Sequence, residues 1–233
     1  SCVIIHPTSL TCFKAYDVRG ELGVNLDVAI AYRVGRAVAQ HFQATNVLIG
    51  FDARETSPEL ATATISGICD AGSNVMLIGL AGTEEMYSAV TEFNACAGIE
   101  ITASHNPINY NGMKIVKSGS QPLDDQQDFQ AIKLLAENET WIENPSKGTV
   151  KDISKDARKK YVQRALSFLN HSNLKPLKIV VNSGNGAAGP TFDAIADELS
   201  SLGAPLEFTR VHHEPDHTFP NGIPNPLLPE NHA

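Results

Sequence analysis

The sequence predicts an α/β protein: a mixed, largely parallel sheet sandwiched between helices, followed by an incomplete second domain of similar type. Three observations carry this. Short, continuous apolar runs rich in Val and Ile recur at 47–51, 75–79 and 97–101, the form taken by strands buried on both faces. Segments with helical start and stop signals separate them. The resulting order of strand, helix, strand, helix, strand requires crossover connections, which make neighbouring strands parallel.

The elements follow in order. After an irregular N-terminus, residues 27–42 carry a helical pattern, and Val47-Leu48-Ile49-Gly50-Phe51 is the first strand. Ser57-Pro58-Glu59 starts a helix, with Ser57 as N-cap, Pro58 at the first helical position and an acid in the first turn. That helix runs to about Asp70, where Gly72 is placed to end it. Val75-Met76-Leu77-Ile78-Gly79 is the second strand, 84–93 a helix, and Ala97-Gly98-Ile99-Glu100-Ile101 the third strand. Residues 126–139 are again helical, and Asn144-Pro145-Ser146-Lys147-Gly148 reads as a linker. Beyond it Ser154 caps a helix to about Leu169, 177–182 is a strand, 190–202 a helix and 206–211 a strand. A tail from Asp216 to Ala233 carries Pro220, Pro224, Pro226 and Pro229. One strand–helix–strand unit cannot cover its sheet on both faces. The expected division is therefore a first domain over 1–147 and a truncated second over 154–233.

Of the 233 residues, 42% are hydrophobic and 19% charged, which is ordinary for a globular protein with a core. The 18 basic and 26 acidic residues give a net charge of −8, and no dense Lys/Arg cluster stands out. A nucleic-acid partner is not expected on that balance. Small phosphorylated ligands stay open, because one or two arginines and a few backbone N–H groups suffice for a phosphate. Cys2, Cys12, Cys69 and Cys96 show no Cys-x-x-Cys spacing, as expected for free thiols in a reducing compartment. The start, Ser1 to His6, has no signal-peptide pattern, and no apolar stretch approaches the ~20 residues of a membrane span. The expectation is a soluble, cytoplasmic protein without a membrane partner; homo-oligomerisation is left open.

The segment 98–116 concentrates the chemistry. An apolar strand ends at Ile101, and a polar turn follows at its carboxyl end, where open parallel sheets bind ligands. That turn, opening with Thr102-Ala103-Ser104-His105-Asn106-Pro107, supplies a hydroxyl (Ser104), an imidazole (His105), an amide (Asn106) and, after Asn111-Gly112, an ammonium (Lys114). A Ser/His hydrolase would need Ser104 and His105 to face each other, which sequence neighbours seldom do, and there is no Gly-x-Ser-x-Gly elbow. Taken out of context, the same residues also make a polar loop without chemistry. Arg19 alone is a surface or salt-bridging arginine, and Asp52 with Arg54 an ion pair at a helix start. Gly184-Asn185-Gly186-Ala187-Ala188-Gly189 satisfies a dinucleotide-binding pattern, but the next strand offers only Glu207 where an acid is wanted. His212, His213 and His217 lie on a loop without cysteines or clustered carboxylates, so solvent exposure is expected of them rather than metal ligation.

Together these stretches resemble the α-D-phosphohexomutase superfamily. Thr102–Pro107 is similar to its active-site loop, and Asn111-Gly112-Met113-Lys114 to the motif that follows it. Phe13-Lys14-Ala15-Tyr16-Asp17-Val18-Arg19-Gly20 looks like its N-terminal signature, and Gly50–Pro58 like its first strand-to-helix turn. The glycine-rich turn at 184–189 matches its second domain, where the glycines serve a tight strand-to-helix crossing. Gly79–Tyr87, Asn182–Pro190 and Phe219–Glu230 resemble the bacterial phosphomannomutase branch. The likeness extends over nearly the whole chain from Phe13.

The resemblance implies an isomerase that interconverts mannose 6-phosphate and mannose 1-phosphate, with phosphoglucomutase and phosphoglucosamine mutase as alternatives. Ser104 would carry the phosphoryl group, with Lys114 and His105 moving protons and Arg19 steadying the phosphoryl. Tyr16 and Asn106 would line the substrate site, and Asp52 and Arg54 would organise the Ser104 loop. One Mg²⁺ would bind Ser104 through its phosphate, its other ligands coming from an Asp-rich loop expected beyond residue 233, and a hexose 1,6-bisphosphate would act as activator. The third and fourth domains of the family are not represented, so the expectation is that residues 1–233 alone show no mutase activity. A reading of another class is an inactive fragment that binds a phosphorylated ligand or a partner chain.

Overall fold

The computed structural model describes residues 9–144, 146–169 and 173–223. Cys2, Pro145 and the prolines 224, 226 and 229, with the last part of the 219–230 match, lie outside the described residues.

The expected strands and helices form within a few residues of their predicted bounds. They are α1 (Val28–His41), β2 (Asn46–Phe51), α2 (Ser57–Asp70), β3 (Asn74–Leu80), α3 (Thr83–Glu92) and β4 (Ala97–Ile101), preceded by β1 (Val18–Glu21). Asp27 starts α1 by accepting a hydrogen bond from the Ile30 N–H at 2.8 Å. Then come β5 (Tyr110–Lys117), β6 (Gln121–Pro122), a π turn (Asp125–Phe129) running into α4 (Gln130–Asn138), and β7 (Val150–Asp152). The remainder is α5 (Ser154–Ser167), β8 (Leu177–Asn182), α6 (Ala188–Ser201) and β9 (Leu206–Val211).

The first sheet has the order β1-β5-β4-β2-β3-β7, with β6 paired to β5. β4, β2, β3 and β7 run parallel, while β5 is antiparallel to β4 and β1 to β5. Strand alternation sends Val47 and Ile49 into a core under α1, α2 and α4, and Leu48 into a second core under α3. Burying each such side chain contributes about 1.5–3 kcal/mol. Beyond β7, β8 and β9 form a two-stranded parallel sheet joined by α6. The Thr191 hydroxyl of α6 donates to Glu85 of α3 at 2.7 Å, and Arg158 of α5 donates to the Leu80 carbonyl at 3.2 Å.

Several expectations are corrected. Ser57 is the first residue of α2, not its cap, because its hydroxyl is spent on Asp52. At the end of the linker stretch the Gly148 N–H donates to the Cys69 carbonyl, and a side chain there would overlap the Ser73 carbonyl. Residues 111–114 lie inside β5, not in a turn. His213 is largely buried against Asp193 at 2.7 Å, whereas His212 and His217 are exposed as expected. Cys12, Cys69 and Cys96 are free thiols, and burial pushes that of Cys12 up to about 11. No helix among the described residues is long and apolar enough to cross a membrane.

Candidate active site

β4 delivers its carboxyl end next to that of β2, and backbone bonds stitch the two exits together. The Asp52 N–H donates to the Ile101 carbonyl at 3.0 Å, and the Thr102 N–H to the Gly112 carbonyl at 2.9 Å. Between them the loop from Thr102 to Asn109 exposes Ser104 and His105. Ser104 has a φ of 51°, the left-handed region that costs a non-glycine residue roughly 1–2 kcal/mol. The Thr102 hydroxyl holds it there by accepting the Ser104 N–H at 3.0 Å.

Arg54 supports the loop from inside and is only 2% exposed. Its guanidinium donates to four loop carbonyls, those of Asn106 (2.6 Å), Pro107 (2.8 Å), Ser104 (3.1 Å) and Tyr110 (3.1 Å). A planar fork of donors suits this task, because one cation satisfies acceptors that point inward from several residues. Burial pulls the guanidinium below its usual proton affinity, and Asp52 opposes that pull. Asp52 accepts from the Arg54 N–H at 3.0 Å and from the Ser57 hydroxyl at 2.5 Å. The fully buried Asn111 amide donates to Thr56 and Ser57, each at 2.9 Å, and accepts the Gly112 N–H at 2.8 Å. One network thus runs from the start of β5 through the β2–α2 turn to the loop.

The other predicted residues lie nearby in different settings. Arg19 stands opposite Gly112 in the β1–β5 register and forms an ion pair with Asp17 at 3.2 Å. Lys114 stands opposite Glu100 on β4. With Tyr16, Asp17, Tyr87 and Asp124, Lys114 lines a cavity of about 450 Å³. The wall of that cavity does not include Ser104, His105, Asn106 or Arg19. The structure therefore joins Asp52, Arg54, Ser104 and Asn106 by hydrogen bonds, and groups Tyr16 with Lys114 around a separate hollow.

The sequence assigned no site role to Thr102, Asn111 or Glu100, and marked Ser57 only as a helix cap. Thr102, Asn111 and Ser57 are small polar residues whose partners are set by the fold. Glu100 is 1% exposed, and neither of its oxygens has a partner among the described residues. It lies over Gly50, where any side chain would collide with it, beside a bulge at which β3 slips relative to β2 and Gly79 takes a φ of 73°. Burial first, then the nearby charges of Asp52 and Glu85, push its carboxyl well above the ordinary carboxylate range.

Comparison with known proteins identifies the family and the fold. Residues 11–142 match the family model of phosphoglucomutase/phosphomannomutase alpha/beta/alpha domain I, and residues 159–233 that of domain II. A phosphomannomutase of Salmonella montevideo is 48% identical over 224 residues, covering 95% of this chain and 49% of that protein. A phosphomannomutase of Escherichia coli K12 is 47% identical over 223 residues, covering 95% of this chain and 48% of that protein. A crystal structure of a phosphoglucomutase/phosphomannomutase family protein from Burkholderia thailandensis superposes with a TM-score of 0.82 at 31% identity, covering 96% of this chain and 48% of that one. The chain spans about half the length of the curated relatives it matches.

Proposed function

The chain belongs to the phosphoglucomutase/phosphomannomutase family, and from that premise we propose that it contributes the phosphoryl-carrying serine to a phosphohexomutase acting on mannose 6-phosphate and mannose 1-phosphate. The observation that carries the proposal is the Ser104 loop itself: an exposed hydroxyl at the carboxyl end of β4, held by a buried arginine that grips four loop carbonyls.

In the proposed reaction a free hydroxyl of the sugar attacks phosphorus on phospho-Ser104. The new O–P bond forms as the Ser104 Oγ–P bond breaks, giving a hexose bisphosphate. That intermediate turns over and returns its other phosphoryl group to Ser104. Each step needs a proton removed from the attacking oxygen and one returned to the leaving oxygen, roles proposed for Lys114 and His105, with Arg19 and Asn106 orienting phosphate oxygens and Tyr16 the sugar. The guanidinium of Arg54 beneath the loop places positive charge near a group that carries about −1.5 to −2.

A Mg²⁺ would offset further charge on the phosphoryl oxygens. The residues present do not by themselves fit such a site: no group of three or more His, Cys, Asp or Glu among the described residues could hold a metal, and Asp52 is already engaged. Ser104, through its phosphate, would offer a single ligand oxygen.

Incubation of the full-length protein with a hexose 1,6-bisphosphate labelled in both phosphoryl groups, followed by peptide mapping, tests the assignment. Label is expected on Ser104 and absent from the Ser104→Ala variant. Phosphate found only on another residue would remove the proposal. A coupled assay on residues 1–233 with Mg²⁺ and a bisphosphate activator tests the further proposal that this stretch alone does not turn over mannose 1-phosphate.

A further inference from the structure

A second cavity, of about 540 Å³, opens between α3, α5 and the turn at Ser118–Ser120. α3 contributes Glu84, Tyr87 and Thr91 to its wall, α5 contributes Tyr161 and Arg164, and Phe168 follows at the end of α5, the residues on each side spaced about one helical turn apart. Ser120, also in the left-handed region at φ 56°, fixes one end through a hydrogen bond from its hydroxyl to the Tyr87 carbonyl. The ion pair between these helices, Lys160 with Glu92 at 3.6 Å, involves neither Arg164 nor Glu84. Phe168 is 80% exposed, so core packing does not account for its ring. Burial keeps both phenols protonated beyond their ordinary range, with nearby glutamates (Glu84 for Tyr87; Glu85 and Glu84 for Tyr161) adding to it. Tyr87 lines this cavity and the one holding Lys114, so one side chain borders both.

We propose that this groove is a binding subsite for a phosphorylated hexose, bordering the Lys114 cavity through Tyr87 and distinct from the Ser104 loop. The Arg164 guanidinium supplies the planar donors that match phosphate oxygens. Tyr87, Tyr161 and Phe168 supply apolar ring faces for the C–H face of a pyranose. The phenol hydroxyls and the Glu84 carboxylate supply partners for its hydroxyl groups. The ligand class rests on the mutase reading above. Such an enzyme has to retain a sugar bisphosphate between two transfers, and a holding subsite beside the Lys114 cavity serves that need.

The test is an amide NMR titration of residues 1–233 with mannose 6-phosphate, with inorganic phosphate and methyl α-mannoside as separate arms. Saturable shifts are expected along α3 and α5 with mannose 6-phosphate, and weaker ones with either half of the ligand. Arg164→Ala should weaken them at least about ten-fold, the scale of a lost charge-assisted hydrogen bond. Tyr161→Ala should weaken them several-fold, whereas Lys114→Ala should leave them in place. No saturable shifts on these helices, shifts unaltered by Arg164→Ala, or shifts abolished by Lys114→Ala would overturn the subsite. A response to inorganic phosphate as strong as that to the hexose phosphate would overturn the sugar assignment. Failure of the mutase reading would show separately, as absence of label on Ser104 while the groove still titrates.

Discussion

Replacing Arg54 with Met keeps much of the apolar stem and removes the guanidinium, so the loss falls on four hydrogen bonds to the carbonyls of residues 104, 106, 107 and 110. Hydrogen bonds to charged groups contribute about 1.5–3 kcal/mol each when measured singly. Simple addition overstates the loss, because residues 104, 105 and 107–109 are exposed and water can reach several of the freed carbonyls. Asp52 meanwhile keeps its bonds from the Arg54 N–H and the Ser57 hydroxyl, so it is not stranded. A net loss of about 3 kcal/mol follows, the low end for breaking one side of a buried charged interaction. In a chain of this size that is roughly a 6–12 °C fall in Tm. Arg54→Lys should recover only part of it, since an ammonium cannot span four acceptors in one plane. Scanning calorimetry gives the stability, and hydrogen exchange locates it: amides of 104–112 should lose protection while those of α1 and β4 keep theirs. An Arg54→Met protein that melts within about 1 kcal/mol of the parent, with unchanged exchange in the loop, would refute the reasoning.

The other predictions concern charge and pH. Glu100 has a raised folded-state pKa, so its stabilising contribution is complete below the ordinary glutamate value of 4.5 and is lost as pH rises through the raised one. Glu100→Gln should therefore flatten the decline in stability expected as pH rises above 4.5, read from urea melts; parallel profiles would contradict this. Asp128 behaves oppositely: burial opposes its ionisation, but hydrogen bonds from Lys117, His41 and the Asp124 N–H win and hold it at about 2. Its contribution, on the order of 1 kcal/mol after solvent screening, is present above pH 3.8 and lost as pH falls toward 2, so Asp128→Asn should remove part of the acid limb of a thermal melt. If Lys114 and His105 move protons, alanine at either should lower turnover of the full-length enzyme by about 10²–10⁴-fold with little change in Tm, and near-normal rates in both would remove those roles.

The parallel centre of the sheet was legible because its strands are continuous apolar runs, a pattern that burial on both faces demands. β5 was not. Its residues Tyr-Asn-Gly-Met-Lys-Ile-Val-Lys mix polar and apolar side chains, and Asn111-Gly112 reads locally as a turn. Pairing with β4 on one side and β1 on the other makes it a strand, and Gly112 marks close approach rather than reversal, since a side chain there would overlap the Val18 carbonyl. β7 is three exposed residues whose strand state comes from edge pairing with β3, which no local pattern records. Resemblance pointed to Asp52 and Arg54, but residue types alone could not say what Arg54 does. Its partners are backbone carbonyls, and carbonyls leave no mark on a sequence.

The charge arrangement beneath the loop follows the same logic. A serine proposed to carry close to two negative charges shares the Arg54 network with Asp52, whose carboxylate accepts from the Arg54 N–H and the Ser57 hydroxyl. A second carboxylate in the sheet below would add repulsion in a region with little water to screen it. Glu100 occupies that position with both oxygens buried and unpartnered. Burial, with Asp52 and Glu85 nearby, pushes its carboxyl above the ordinary carboxylate range and so favours the neutral form. The missing side chain at Gly50 makes space for it. A substitution that keeps shape and neutrality, Gln, should therefore preserve phosphoryl loading of Ser104. A lysine forced into the same space would have to bury its charge or swing into the loop, and should cost both stability and loading.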